Sequence, residues 1–196
     1  MRNKIRLFGS FECNSSIEVA FSGSLLLIGG VLGFGAQARA ATYYMPDDFP
    51  DLHTAFPNMT GGDTLIIRDG AYTGVNNVID ANHYPPSGFG GRDTIIKAEN
   101  EGYVTFDGQN DRSMVYMDTG DSDIFHHVQF IGLRWIHNDS ARSHLFAGLN
   151  HVKIIRCGFG RTNGEGGSTN FLLRNSQYTL VEECYSWGDG RYAFMT

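Results

Sequence analysis

Cysteine is scarce: three residues in 196, too few for a disulfide framework. One of them, Cys13, lies in a leader-like first stretch, which leaves Cys157 and Cys184. A chain of this size without disulfides must take its stability from its core and its hydrogen bonds. Basic charge is also in short supply. Setting aside Arg2, Lys4, Arg6, Arg39, Glu12 and Glu18 in residues 1–40, the remainder holds 11 basic and 19 acidic residues, a formal charge of −8. Phosphate binding needs a basic surface, so nucleic acid is excluded as a general partner. No H-x-x-x-H pair is present to build a helical metal site. The seven histidines all follow residue 40 and read as turn or edge residues.

Long apolar runs occur in one place only, from Val19 to Ala36. Arg2, Lys4 and Arg6 precede it, and Ala38-Arg39-Ala40 follows it. Basic, apolar, then A-x-A is the pattern of a secretory signal. We therefore expect residues 1–40 to be a signal peptide and the product to be exported, whether periplasmic, secreted or on the cell surface. The alternative is an uncleaved anchor, because the run approaches the roughly 20 residues a bilayer requires. Membrane attachment is expected only in that case. Glu12 and Glu18 make the leading region unusually long, which suggests a start downstream of Met1.

What the sequence does contain is a repeat. Val128–Leu133, Val152–Cys157 and Thr179–Cys184 superimpose at offsets of 24 and 27 residues. Each carries an apolar or β-branched residue at positions one and three and an apolar residue at position six. Alternation through one and three is strand-like. The phase shift before position six predicts a bend there. Ser143–Phe146 aligns with Asn170–Leu173 at the same offset of 27, and Arg112–Tyr116 reads as an earlier copy. Polar turns rich in glycine separate these pieces, as at Gly158, Gly160, Gly164, Gly166 and Gly167.

Short strands at a fixed period predict a solenoid in which each coil stacks on the last. Equivalent residues then form ladders: Val128/Val152/Thr179, Phe130/Ile154/Val181 and Leu133/Cys157/Cys184. One coil cannot bury its inward face alone, so neighbours supply the core. The leucine-rich repeat has a similar period but needs a Leu/Asn consensus that is missing here.

Gly62-Asp63-Thr64-Leu65-Ile66-Ile67-Arg68-Asp69-Gly70-Ala71-Tyr72-Thr73-Gly74 resembles the opening motif of right-handed parallel β-helix proteins of the pectate-lyase-like superfamily. Thr94–Ala98 and Val104–Gly108 resemble the second coil of the alginate and chondroitin lyase group. The resemblance covers residues 42–196. It implies an all-β, right-handed parallel β-helix over residues 41–196, with about five N-terminal coils. It also implies a short capping helix, which Leu52, Ala55 and Phe56 would supply before Pro57 ends it. The final residues, Arg191–Thr196, read as a strand beginning, so we expect a C-terminally truncated β-helix.

Lyases of that superfamily remove a proton beside a uronate carboxylate, with a Lys or Arg base and Ca²⁺ or basic residues neutralising the acid. The resemblance thus implies a polysaccharide lyase or polysaccharide binder, with Ca²⁺ as the implied ion. The alternative is a non-catalytic surface, adhesive or carbohydrate-binding module. Catalytic residues are not identifiable from the motif. Candidate substrate-binding residues are the outward Lys153, Arg156, Glu182 and Glu183. The plainer reading of these is a stacked Arg156–Glu183 ion pair on a solvated face, worth about 0–1 kcal/mol. Asp189, flanked by glycines, is a candidate Ca²⁺ ligand, or it caps its own turn. Cys157 and Cys184 are expected to stack, either as free thiols in the core or as an inter-coil disulfide. Trp135, Phe159 and Tyr185 are candidates for sugar stacking or for turn packing.

Overall fold

The computed structural model describes residues 39–117, 125–138, 144–161, 169–188 and 192–196. The signal or anchor reading of residues 1–40 falls almost wholly outside them, as do the Gly164–Gly167 turn and Asp189. No helix among the described residues is long and apolar enough to cross a membrane.

The described chain is all-β, and its strand ladders are parallel. The first sheet has six strands in chain order: β1 (Thr42–Met45), β2 (Thr64–Ile67), β5 (Thr94–Ala98), β9 (Val128–Ile131), β13 (Lys153–Ile155) and β16 (Leu180–Glu182). The second holds β3 (Gly70–Tyr72), β6 (Val104–Asp107), β10 (Leu133–Ile136), β14 (Gly158–Arg161) and β17 (Tyr185–Gly188). The third holds β4 (Ile79–Asp80), β7 (Val115–Tyr116), β11 (His144–Ala147), β15 (Thr169–Arg174) and β18 (Tyr192–Met195). A two-strand ladder pairs β8 (Phe125–His126) with β12 (Leu149–Asn150). From β2 onward the chain visits the three sheets in rotation.

The register is the one the repeat predicts. Phe130, Ile154 and Val181 are direct partners across β9, β13 and β16, and Gln129, Lys153 and Leu180 form the adjacent outward row. His144 to Ala147 pair with Phe171 to Arg174 at the expected offset. The predicted bend is a single left-handed residue: Gly132, Arg156 and Glu183 have φ of +69°, +51° and +52°. One such residue reverses the strand alternation, so Leu133 and Cys157 return to the interior. Gly132 has a second reason to lack a side chain, since a Cβ there would lie 2.6 Å from Glu101 Cγ.

The helix α1 (Leu52–Asn58) joins β1 to β2. Asp51 caps it by accepting from Thr54 N–H at 2.8 Å. Leu52, Ala55 and Phe56 are its buried face, as expected. Pro57 lies inside the helix, one residue from its end, and the element lasts only seven residues.

The core is aromatic. Phe106, Trp135 and Phe159 are register partners in the second sheet and all fully buried. Trp135 and Phe159 stack at 5.4 Å and 13°. Phe130 and Phe146 meet Trp135 edge-on from the other two sheets. Each such pair adds about 0.5–1.5 kcal/mol beyond its buried area. The sugar-stacking reading of Trp135 and Phe159 is thereby corrected: both point into the interior, where no ligand reaches them. Tyr185 does face outward, stacked on Trp187 at 5.4 Å.

Candidate functional site

A groove of about 730 Å³ lies over the outward face of the first sheet. That is within the size range of ligand clefts, roughly 300–1,000 Å³. Its lining includes Arg92, Asp93, His127, Gln129, His151, Lys153 and Tyr178.

Local structure explains each placement. Phe89 and Arg92 exchange backbone hydrogen bonds at 2.8 and 3.0 Å around Gly90-Gly91, with Gly91 at φ +86°. This tight turn sets Arg92 and Asp93 at the head of β5. Gln129 and Lys153 are partners on neighbouring strands and alternate outward between buried residues. Asp93 Oδ2 accepts from Gln129 Nε2 at 2.6 Å and from Lys153 Nζ at 2.8 Å. Partial burial alone would raise the Asp93 pKa. The hydrogen bonds from Lys153 and Gln129, with the charges of Lys153 and His127, outweigh it and hold the carboxyl below its ordinary value.

His127, His151 and Tyr178 precede β9, β13 and β16 and share left-handed backbone, with φ of +56°, +53° and +49°. At this corner their rings leave the strand alternation and stack. His127 lies 4.8 Å from His151 at 4°, and His151 lies 4.6 Å from Tyr178 at 23°. His127 Nδ1 faces His126 Nδ1 at 3.2 Å, and His151 Nδ1 faces Asn150 Oδ1 at 2.6 Å. Tyr178 is 75 % exposed. The groove therefore joins an ion pair on its floor to a stack of rings along one wall. Such a surface can hydrogen-bond hydroxyls, attract an acid and hold a sugar face.

The four outward candidates divide. Lys153 lines the groove. Arg156 stands at the opposite end of β13 and takes Glu101 as a two-pronged partner, Nε to Oε2 at 2.6 Å and Nη2 to Oε1 at 2.7 Å. Glu183 is a looser partner at 3.7 Å. The hydrogen bond from Arg156 lowers the Glu101 pKa, and Glu101 in turn raises that of Arg156. Glu182 pairs in register with Ile155 and does not line the groove. Among the described residues, no group of three or more His, Cys, Asp or Glu is arranged to hold a metal ion.

Cys157 and Cys184 are neighbours and both free, with Cys157 N–H donating to Cys184 Sγ at 3.4 Å. A hydrogen bond from the Cys157 thiol, with smaller help from its backbone N–H, lowers the Cys184 pKa to about 7, and burial pushes Cys157 up.

Asp93 escaped the sequence reading, because its contact with Lys153 spans 60 positions and no periodicity signals it. The ring stack was within reach: His127, His151 and Tyr178 each sit one residue before the first position of the aligned strands. The chain matches no family model, no curated protein and no solved structure.

Proposed function

We propose that this chain is an exported right-handed parallel β-helix of the pectate-lyase-like kind that binds and cleaves an acidic extracellular polysaccharide. The groove over the first sheet carries the reading: a wall of stacked rings beside Lys153 and Arg92. Rotation of the chain through three parallel sheets supports the β-helix part of the proposal. Export rests on the leader pattern. Fold alone does not set activity, so the groove residues bear the functional argument. Lys153 would meet a uronate carboxylate with the N–H donors that Asp93 leaves unused, and Tyr178 would offer its exposed ring to a sugar face.

One observation favours a second reading, a binding module without catalysis. Lys153 is already held by Asp93, so its charge is half spent. Affinity electrophoresis of the full chain through gels containing alginate, polygalacturonate or chondroitin sulfate tests the shared part of both readings. Retardation by at least one polymer, reduced in Lys153→Met, supports the groove. Free migration through all three contradicts it. Absorbance near 235 nm, where the unsaturated product absorbs, then separates cleavage from binding.

A further inference from the structure

We infer that His151 is the proton-abstracting base of this groove, and that Asn150 holds it in the competent tautomer. The inference rests on the proposed cleavage of an acidic polysaccharide and names the residue that would perform it.

The geometry selects His151 over its neighbours. A carboxamide oxygen accepts and cannot donate, so the 2.6 Å contact from His151 Nδ1 to Asn150 Oδ1 places the ring proton on Nδ1. Nε2 of the neutral ring then keeps its lone pair. Asn150 itself is fixed by the backbone, since it lies in β12, its carbonyl accepts from His127 N–H at 3.1 Å, and it bridges to Gln177. The stack clamps the ring from both sides, with His127 on one face and Tyr178 on the other. His127 lacks such a lock. Its Nδ1 faces another imidazole nitrogen, His126 Nδ1, and either ring can supply the proton they share. Lys153 is engaged by Asp93 and suits the role of cation better than that of base.

The charged groups around His151 fit the chemistry. Lys153 and Arg92 are the cations lining the groove and Asp93 its carboxylate. With a uronate carboxylate against Lys153, His151 Nε2 takes the proton on the carbon beside that carboxylate. The C–H pair forms the new carbon–carbon double bond, and the bond to the neighbouring glycosidic oxygen breaks. The proton ends on Nε2, the leaving oxygen takes one from water, the hydroxide so formed is neutralised as Nε2 returns its proton to solvent, and no oxidant or reductant is consumed.

The test uses the full chain with polygalacturonate, alginate and chondroitin sulfate, following product at 235 nm and binding by gel retardation. A positioned general base contributes about 10²–10⁴-fold. His151→Phe, which keeps a ring between His127 and Tyr178 but offers no lone pair, is therefore expected to lower cleavage at least ~100-fold while retardation persists, and added imidazole should restore part of the rate lost in His151→Ala. Asn150→Asp, which keeps an acceptor on Nδ1, should retain cleavage that Asn150→Leu loses. Retained binding with undiminished cleavage in His151→Phe overturns the inference and leaves the binding reading standing. Binding without cleavage in the unaltered chain overturns it as well. No binding to any of the three polymers overturns the reading beneath it.

Discussion

Lys153 Nζ donates to Asp93 Oδ2 at 2.8 Å, joining the outward row of β13 to the turn before β5. Because this contact and Gln129 lower the Asp93 pKa, the folded state binds the proton less tightly than the unfolded chain. The pair's stabilisation is thus fully present above the unfolded carboxylate pKa, about 3.9, and is lost as pH falls through the folded value. Lys153→Met should cost on the order of 1 kcal/mol at pH 7 and progressively less as the pH is brought down from about 4 to about 2. Urea midpoints across this range check this. An equal cost throughout would show that Lys153 stabilises by packing rather than by charge.

The register makes a sharper demand. Ile154 is fully buried between Phe130 and Val181, so Ile154→Asp should abolish the cooperative unfolding transition. The sequence alone suggests that Lys153→Asp is harmless. The structure revises that, because the new carboxylate would face Asp93. Lys153→Ser is the proper control and should keep a native circular-dichroism spectrum.

Gly132→Ala should destabilise by about 1–3 kcal/mol, from left-handed backbone and from crowding against Glu101. Denaturant titration of Gly132→Ala, Glu101→Gly and the double variant separates the causes, because the Glu101→Gly single variant accounts for the lost pairing with Arg156. Only the crowding part should be relieved in the double variant.

The thiols should differ in reactivity. Iodoacetamide labelling of Cys184 should rise through pH 7, following its lowered pKa, while Cys157 stays unlabelled until the chain is unfolded. Cys157→Ala removes the thiol's hydrogen bond to Cys184, the largest cause of its lowered pKa, and keeps the backbone N–H donor, so the labelling curve should move part of the way to higher pH. Peptide mass spectrometry distinguishes the two sites.

Legibility in the sequence followed the range of each interaction. Coils repeat, so the partners Phe130/Ile154/Val181 and the bend at Gly132/Arg156/Glu183 could be read from spacing. The helix face Leu52/Ala55/Phe56 was equally local. Trp135 and Phe159 misled because they lie past the aligned segments, although alternation continued from the inward Leu133 and Cys157 turns both toward the core. Arg156 misled in another way. Its aligned neighbour Glu183 looked like the natural partner, yet Glu101, 55 positions earlier, holds it two-pronged. Asp93 was illegible for the same reason: a turn outside the repeat reaches residues two strands away.

Hydroxyl-radical footprinting of the full chain, with and without an acidic oligosaccharide that it retains, tests most directly whether the groove is the binding site. The account predicts protection of His127, His151 and Tyr178, with Tyr103, exposed outside the groove, modified equally in both samples. Unchanged modification of all three groove residues under saturating oligosaccharide would contradict it.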